Sequence, residues 1–414
     1  MLSLAALATG CSSTSIGEDV PRVSEASADS VADRVTNPID VISPIDAPSG
    51  IDAGDDSQPA VDVVTLDTIA PPDTGSVVDS GPPAPTSALL LDGRNPLPCA
   101  DPTVFSDHDM GAIFYVYCTG MSHVWRTADW VNFTDERSST RFDLTGLSAN
   151  GQMIGSWWAP GIVYAPDLDR YVMWVSVPAA AAVRDASTGW DTRALAVLTA
   201  TTPTGPWVWR AMGHTAASGQ HYIDPFLFRD HDGRRYVYWK QYGGGISSSI
   251  MGAALDATWR NITGSEVEIM NGYGGTGTWE DNVRENPAVI YNATADRHHL
   301  IFSGGHWAED NYATGHAVST CGPLCVDTAR GGWHMVDSGD RGILQVGRPT
   351  GLADFQFGGA GGAEFQDGAA RYIVYAAAAR SARGDHTRYL MRDRIAWQNA
   401  APFVDTAGHH PLGF

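Results

Sequence analysis

An all-β fold, a five-bladed β-propeller preceded by a disordered acidic linker, follows from three features of this 414-residue chain. A short unit recurs five times: a Pro or Gly turn, an apolar run, then an aromatic strand. The runs are strand-like, bounded by Gly and Asp, with no sustained helical period. The first 87 residues share none of this character.

Residues 1–10 are mostly apolar and lead into Cys11. That arrangement resembles a bacterial lipoprotein signal (1–11) with Cys11 as the acylated residue, although the usual positive leader is missing. An incidental cysteine in a frayed terminus is the other reading. Residues 12–87 are rich in Asp, Ser, Ala, Pro and Val and hold 14 acids against two arginines, a net charge of −12 out of the chain's −21. Such a segment buries too little apolar surface to offset its conformational entropy, so disorder is expected. Like charges and prolines would keep it extended, as a stalk or a solvated tail.

Residues 88–414 form the predicted domain, long enough for a large β core. No run of 18 apolar residues occurs, so a lipid on Cys11 is the expected membrane contact. The remaining negative charge argues against a nucleic-acid partner. A monomer is expected, exported to the cell surface or periplasm, or secreted. Apart from Cys11, four cysteines remain, an even number that suits bridges in an oxidising compartment. The favoured pairs are Cys99 with Cys118 and Cys321 with Cys325. Free thiols and metal binding are the rivals, but no Cys-x-x-Cys occurs.

The five units open at Ala100-Asp101-Pro102, Ala159-Pro160, Asp224-Pro225, Glu285-Asn286-Pro287 and Gly362-Ala363. Radial repetition of four-stranded sheets makes a propeller. The first strand of each blade then lies nearest the axis, so Asp101, Asp224 and Glu285 converge on one mouth. A lone Asp-Pro is ordinarily a turn; three acids at related repeat positions suggest chemistry. Trp157, Trp158, Phe226 and Trp307 lie near them in sequence, and flat rings suit a sugar's C–H face or a blade core equally well. Arg348 is a candidate donor to sugar hydroxyls. Lys240, the chain's single lysine, has no role in this reading.

These residues together resemble glycoside hydrolase family 43. The resemblance rests on Ala100-Asp101-Pro102, on Trp158-Ala159-Pro160 with Tyr164, on Ile223-Asp224-Pro225 with Phe228 and Asp232-Gly233, and on Glu285 before Pro287. It implies a five-bladed propeller and an inverting glycosidase acting on arabinose- or xylose-containing plant polysaccharides. By motif, Asp101 corresponds to the general base, Glu285 to the general acid and Asp224 to the carboxylate that tunes it. Two departures stand out. Asn286 occupies the place of a common Gly. The fifth unit, Gly358 to Glu364, lacks the His that helps hold a channel metal or water in many members, so no cofactor is expected and a channel calcium is not supported. Glu280 and Asp281 are rival acids off the repeat register.

The chain ends soon after the fifth unit, which favours an α-L-arabinofuranosidase or arabinanase type over a β-xylosidase. A retaining, fructan-cleaving propeller would have Asn before the first Asp-Pro, where this chain has Ala100. A non-catalytic carbohydrate-binding propeller would have no need of three carboxylates.

Overall fold

The structure, a computed structural model, describes residues 97–411 apart from 122, 150–156, 180–191, 216–218, 244–245, 272–279, 281, 308–311, 327–331, 336–356, 366–371, 380–386, 399–400 and 405–409. The predicted signal, Cys11, the acidic linker, Asp281 and Arg348 lie outside the described residues.

Five antiparallel sheets follow one another along the chain. Blade one holds β1 (Thr103–Ser106), β2 (Phe114–Tyr117), β3 (Val124–Thr127) and β4 (Phe133–Asp135). Blade two holds β5 (Phe142–Asp143), β6 (Trp158–Ala165), β7 (Arg170–Pro178), β8 (Arg193–Ala200) and β9 (Trp207–His214), with β5 running parallel to β9 at the rim. A short helix, α1 (Thr145–Ala149), links β5 towards β6. Blade three is β10 (Gln220–Arg229), β11 (Arg235–Gly243), β12 (Ile246–Leu255) and β13 (Ile262–Met270). Blade four is β14 (Glu285–Asn292), β15 (Arg297–Gly304), β16 (Ala313–Ser319) and β17 (His334–Met335). Blade five is β18 (Phe357–Phe365), β19 (Tyr372–Ala379), β20 (Arg388–Gln398), β21 (Ala401–Val404) and β22 (His410–Pro411).

The first strands β1, β6, β10, β14 and β18 touch in that order, and β18 returns to β1. Five apolar clusters fill the wedges, one between each pair of neighbouring blades. Burial against both neighbours explains why middle strands such as β7 and β8 are mostly apolar on both faces instead of alternating.

The ring closes on its own beginning. Pro98 bridges Tyr389 of β20, the Leu390 amide donates to the Leu97 carbonyl at 2.8 Å, and the Cys99 amide donates to the Arg388 carbonyl at 2.8 Å. Cys99 is bonded to Cys118 at the end of β2, tying this closing segment to blade one. Cys321 and Cys325 also form a bridge. Both pairings match those favoured from the sequence.

Each blade opening carries a residue of positive φ: Asp101 (44°), Ala159 (37°), Asp224 (55°), Asn286 (49°) and Gly362 (60°). In the first four a proline follows; it cannot donate to the ladder, and in β6, β10 and β14 the register shifts across this step. The inner strands approach so closely that two glycines are obligatory. A Cβ on Gly161 would lie 2.1 Å from the Pro225 carbonyl oxygen, and one on Gly362 would lie 2.9 Å from Asp101 Oδ1.

Candidate active site

The five openings ring one end of the axis, and a cavity of about 560 Å³ opens there. Asp101, Asp224 and Glu285 all line it. Blade four departs from the expected register. Asn286 occupies the left-handed position equivalent to Asp101 and Asp224, and Glu285 comes one residue earlier, opposite Ser303. The strand then turns Glu285 into the mouth while Asn286 reaches across the axis.

Asp101 is held from three sides. Arg388, the first residue of β20, grips it with two bonds, Nη1 to Oδ1 at 2.6 Å and Nη2 to Oδ2 at 2.9 Å. Thr119 Oγ1 donates to Oδ2 at 2.8 Å and accepts from the Ala159 amide at 2.8 Å. Asn286 Nδ2 lies 3.4 Å from Oδ1. Burial alone would push the Arg388 guanidinium down, but the Asp101 carboxylate more than offsets this and raises it.

Glu285 sits between a phenol and an ammonium. Tyr312 Oη donates to Oε1 at 2.8 Å, and Lys240 Nζ donates to Oε2 at 2.5 Å. Asn286 completes the link: its Nδ2 donates to Tyr312 Oη at 3.0 Å and its backbone amide to Asp224 Oδ2 at 3.2 Å. Asp224 is 6 % exposed. Burial first, then the charges of Glu285 and Asp101, push its carboxyl well above the usual carboxylate range. Arg388 is bonded to Asp101 and Lys240 to Glu285, whereas among the described residues no cation is bonded directly to Asp224.

The aromatic candidates divide. Trp158 and Trp307 line the cavity, Trp307 with 38 % of its surface exposed. The Arg193 guanidinium covers one face of Trp158 at 3.5 Å. Trp157 is a correction. Strand alternation turns it the opposite way from Trp158, into the core between blades one and two, edge-on to Phe142. Phe226 is another. Beyond the register shift after Asp224, its ring packs against the clusters flanking blade four and lines a narrow space of about 30 Å³ on the axis behind the mouth. Glu280 is buried against Arg284, away from the cavity.

That narrow axial space is lined by Pro, Ala and Gly together with Asp101, Asp224, Asn286 and, from β18, Glu364. Glu364 Oε2 accepts from the Val104 amide at 3.3 Å, and burial pushes its carboxyl up to about 8.

Sequence reasoning missed Lys240, Tyr312, Arg388, Thr119 and Asn286 as site residues. For Lys240 a signal existed: a lone lysine within the aromatic run Tyr236-Val237-Tyr238-Trp239 is a charge in a strand that must be buried.

Acids delivered to one mouth by separate blades define a class, the propeller glycosidases. Solved structures agree on the fold. A thermostable family-43 glycoside hydrolase is 20 % identical with a TM-score of 0.59, over 77 % of this chain and 97 % of that one. An endo-1,4-beta-xylanase from Bacteroides thetaiotaomicron is 20 % identical, TM-score 0.59, over 77 % and 98 %. An alpha-L-arabinofuranosidase from Lactobacillus brevis is 18 % identical, TM-score 0.58, over 78 % and 99 %. No curated protein matches the sequence. The chain belongs to the glycosyl hydrolases family 43, whose profile matches residues 94–402, and it is a glycosidase.

Proposed function

We propose that this glycosidase inverts configuration while cleaving arabinose- or xylose-containing plant polysaccharides, as an α-L-arabinofuranosidase or arabinanase. One observation carries the reading: acids from blades one, three and four line a single cavity with an exposed indole. The family and the activities named for the solved relatives support the substrate class.

Asp101 is the general base. Arg388 and Thr119 fix its carboxylate in one orientation, so that an oxygen can take a proton from the attacking water. Glu285 is the general acid and protonates the leaving glycosidic oxygen. As it gives up that proton, its new charge forms between Lys240 Nζ and Tyr312 Oη, which are already in place. Burial and the charges of Glu285 and Asp101 raise the Asp224 carboxyl, so Asp224 is the acid that holds a proton more tightly than an ordinary carboxyl beside Glu285. Trp158 and the exposed ring of Trp307, which line the cavity, receive the sugar.

Export goes with this function. The two disulfides suit an oxidising compartment, and Cys11 would carry the lipid. Mass spectrometry of the mature N-terminus in a bacterial host tests this part separately.

For the activity, the protein is assayed on aryl-arabinofuranoside, aryl-xyloside and debranched arabinan, and the first-formed anomer is followed by NMR. Inverted product from an arabinose substrate is expected. Faster turnover of the xyloside would move the reading to a β-xylosidase. Retained configuration, or binding without turnover, would overturn it.

A further inference from the structure

The end of the propeller opposite the mouth carries a cluster that the glycosidase chemistry does not use. Asp230 follows β10, about 20 Å of strand from Asp224, in the tight turn to β11. Its Oδ1 lies 2.8 Å from His231 Nδ1 and 3.0 Å from His298 Nε2, the second residue of β15 in the next blade. One carboxylate oxygen and two imidazole nitrogens, contributed by blades three and four, all lie within 4.8 Å of one another.

An internal comparison shows what is special here. The turn Phe228-Arg229-Asp230-His231-Asp232 has a counterpart in blade one, Phe105-Ser106-Asp107-His108-Asp109. In both, the His stacks on a Tyr of the following blade at the same 15° interplanar angle: His108 on Tyr164 at 3.7 Å, His231 on Tyr291 at 3.8 Å. Each Tyr donates to an Asp five residues on, Asp169 and Asp296. The pattern is a clasp between adjacent blades, built twice. It differs at the third corner. There, blade two has Tyr171, the second residue of β7, accepting from the His108 amide at 2.7 Å. Blade four has His298. Asp107 caps its own turn through the Asp109 and Met110 amides. Asp230 turns instead towards the two imidazoles.

We propose that Asp230, His231 and His298 bind a divalent transition-metal ion of the zinc type, joining blades three and four. Two imidazoles and a carboxylate suit zinc, nickel or cobalt, whereas calcium and magnesium prefer an all-oxygen shell. The site is pre-organised. Asp230 and His298 are buried, and stacking on Tyr291 fixes the His231 ring. The His231 side chain is 51 % exposed, so water can complete the coordination. Each ring must present a lone pair to the ion, so its proton moves to the other nitrogen. Arg234 pairs with Asp232, and Arg229 and Arg235 share the one carboxylate of Asp167.

The test uses the full chain without a histidine tag, stripped by chelator and titrated with zinc chloride against a chromogenic chelator. His298→Tyr is the informative variant, because Tyr is what blade two uses at this corner. His231→Ala, at a half-exposed position, serves if that variant fails to fold. Wild type should take up one more equivalent of zinc than either variant, at least tenfold more tightly than any residual binding. Zinc should raise the melting temperature of wild type alone, and cobalt should give a visible absorption band with wild type alone. Glycosidase activity should be the same in all three proteins, so the result is independent of the proposed mechanism. Equal zinc uptake by wild type and variants would overturn the site and leave a purely hydrogen-bonded clasp.

Discussion

Lys240 Nζ donates to Glu285 Oε2 at 2.5 Å, and both side chains are buried. Burial alone would push the Lys240 ammonium down, but Glu285 and Asp224 more than offset this and hold it charged. The cation favours the product-side carboxylate of the acid. Lys240→Met should therefore lower kcat about 100-fold, the usual effect of removing one pre-placed donor. It should also move the alkaline limb of the pH–rate profile upward, because Lys240 lowers the Asp224 carboxyl and its loss lets Asp224 hold a proton more tightly. Initial-rate profiles of both proteins check this; an unmoved limb would remove Lys240 from the mechanism.

Glu285→Gln cannot supply a proton. Turnover of natural glycosides should fall by roughly 10² to 10⁴, the range of general acid catalysis. Aryl glycosides with good leaving groups should suffer less, and oligosaccharide affinity should persist. Parallel kinetics and calorimetry distinguish this from a binding protein, which would have no turnover to lose.

Arg388 and Asp101 form a part-buried two-bond pair that Lys cannot reproduce. Arg388→Met should destabilise the fold by about 1.5–3 kcal/mol, because the charge-assisted bonds to Asp101 are lost. Arg388→Lys should lose less stability but still lower kcat more than it changes KM, since the base is no longer fixed in orientation. Denaturant melts and steady-state kinetics on the same samples separate the two effects.

Three buried groups give opposing pH trends in stability. Glu364 is raised by burial to about 8, so between its ordinary range and pH 8 the unfolded chain releases a proton that the folded chain keeps. Stability falls as pH rises through that window. Buried His299 and His316 are lowered to about 4 and about 3, so stability falls as pH drops below their ordinary value of 6.5. Glu364→Gln keeps an oxygen for the Val104 amide. It should flatten the loss between about pH 5 and 8 while leaving the acid-side loss intact, as melting temperatures across pH will show.

The Cys99–Cys118 bond spans 19 residues and fastens the closing segment. Replacing both with Ala should cost about 3 kcal/mol by the loop-entropy argument, as denaturant melts of wild type and variant will show.

The propeller was legible because its repeat is written in turn chemistry. Pro102, Pro160, Pro225 and Pro287 mark four blade openings and the Gly361-Gly362 step marks the fifth, which counts the blades. The disulfides were legible from an even count and close spacing. Trp157 and Trp158 could not be told apart, since a single step along a strand separates core from mouth. Lys240, Tyr312 and Arg388 were harder to see for a different reason. Each comes from a second or third strand, or the residue just before one, in a blade where no local pattern points inward. Only radial closure brings them against the acids.

The five left-handed openings have a bearing on where such catalysts come from. Outside glycine, Asp and Asn are the residues that tolerate this backbone best. Three of the five positions carry them: Asp101, Asp224 and Asn286. A ring of these turns is thus stocked with carboxylates and amides before any substrate selects for them. Reactivity at the hub could be recruited from side chains that conformational tolerance had already supplied.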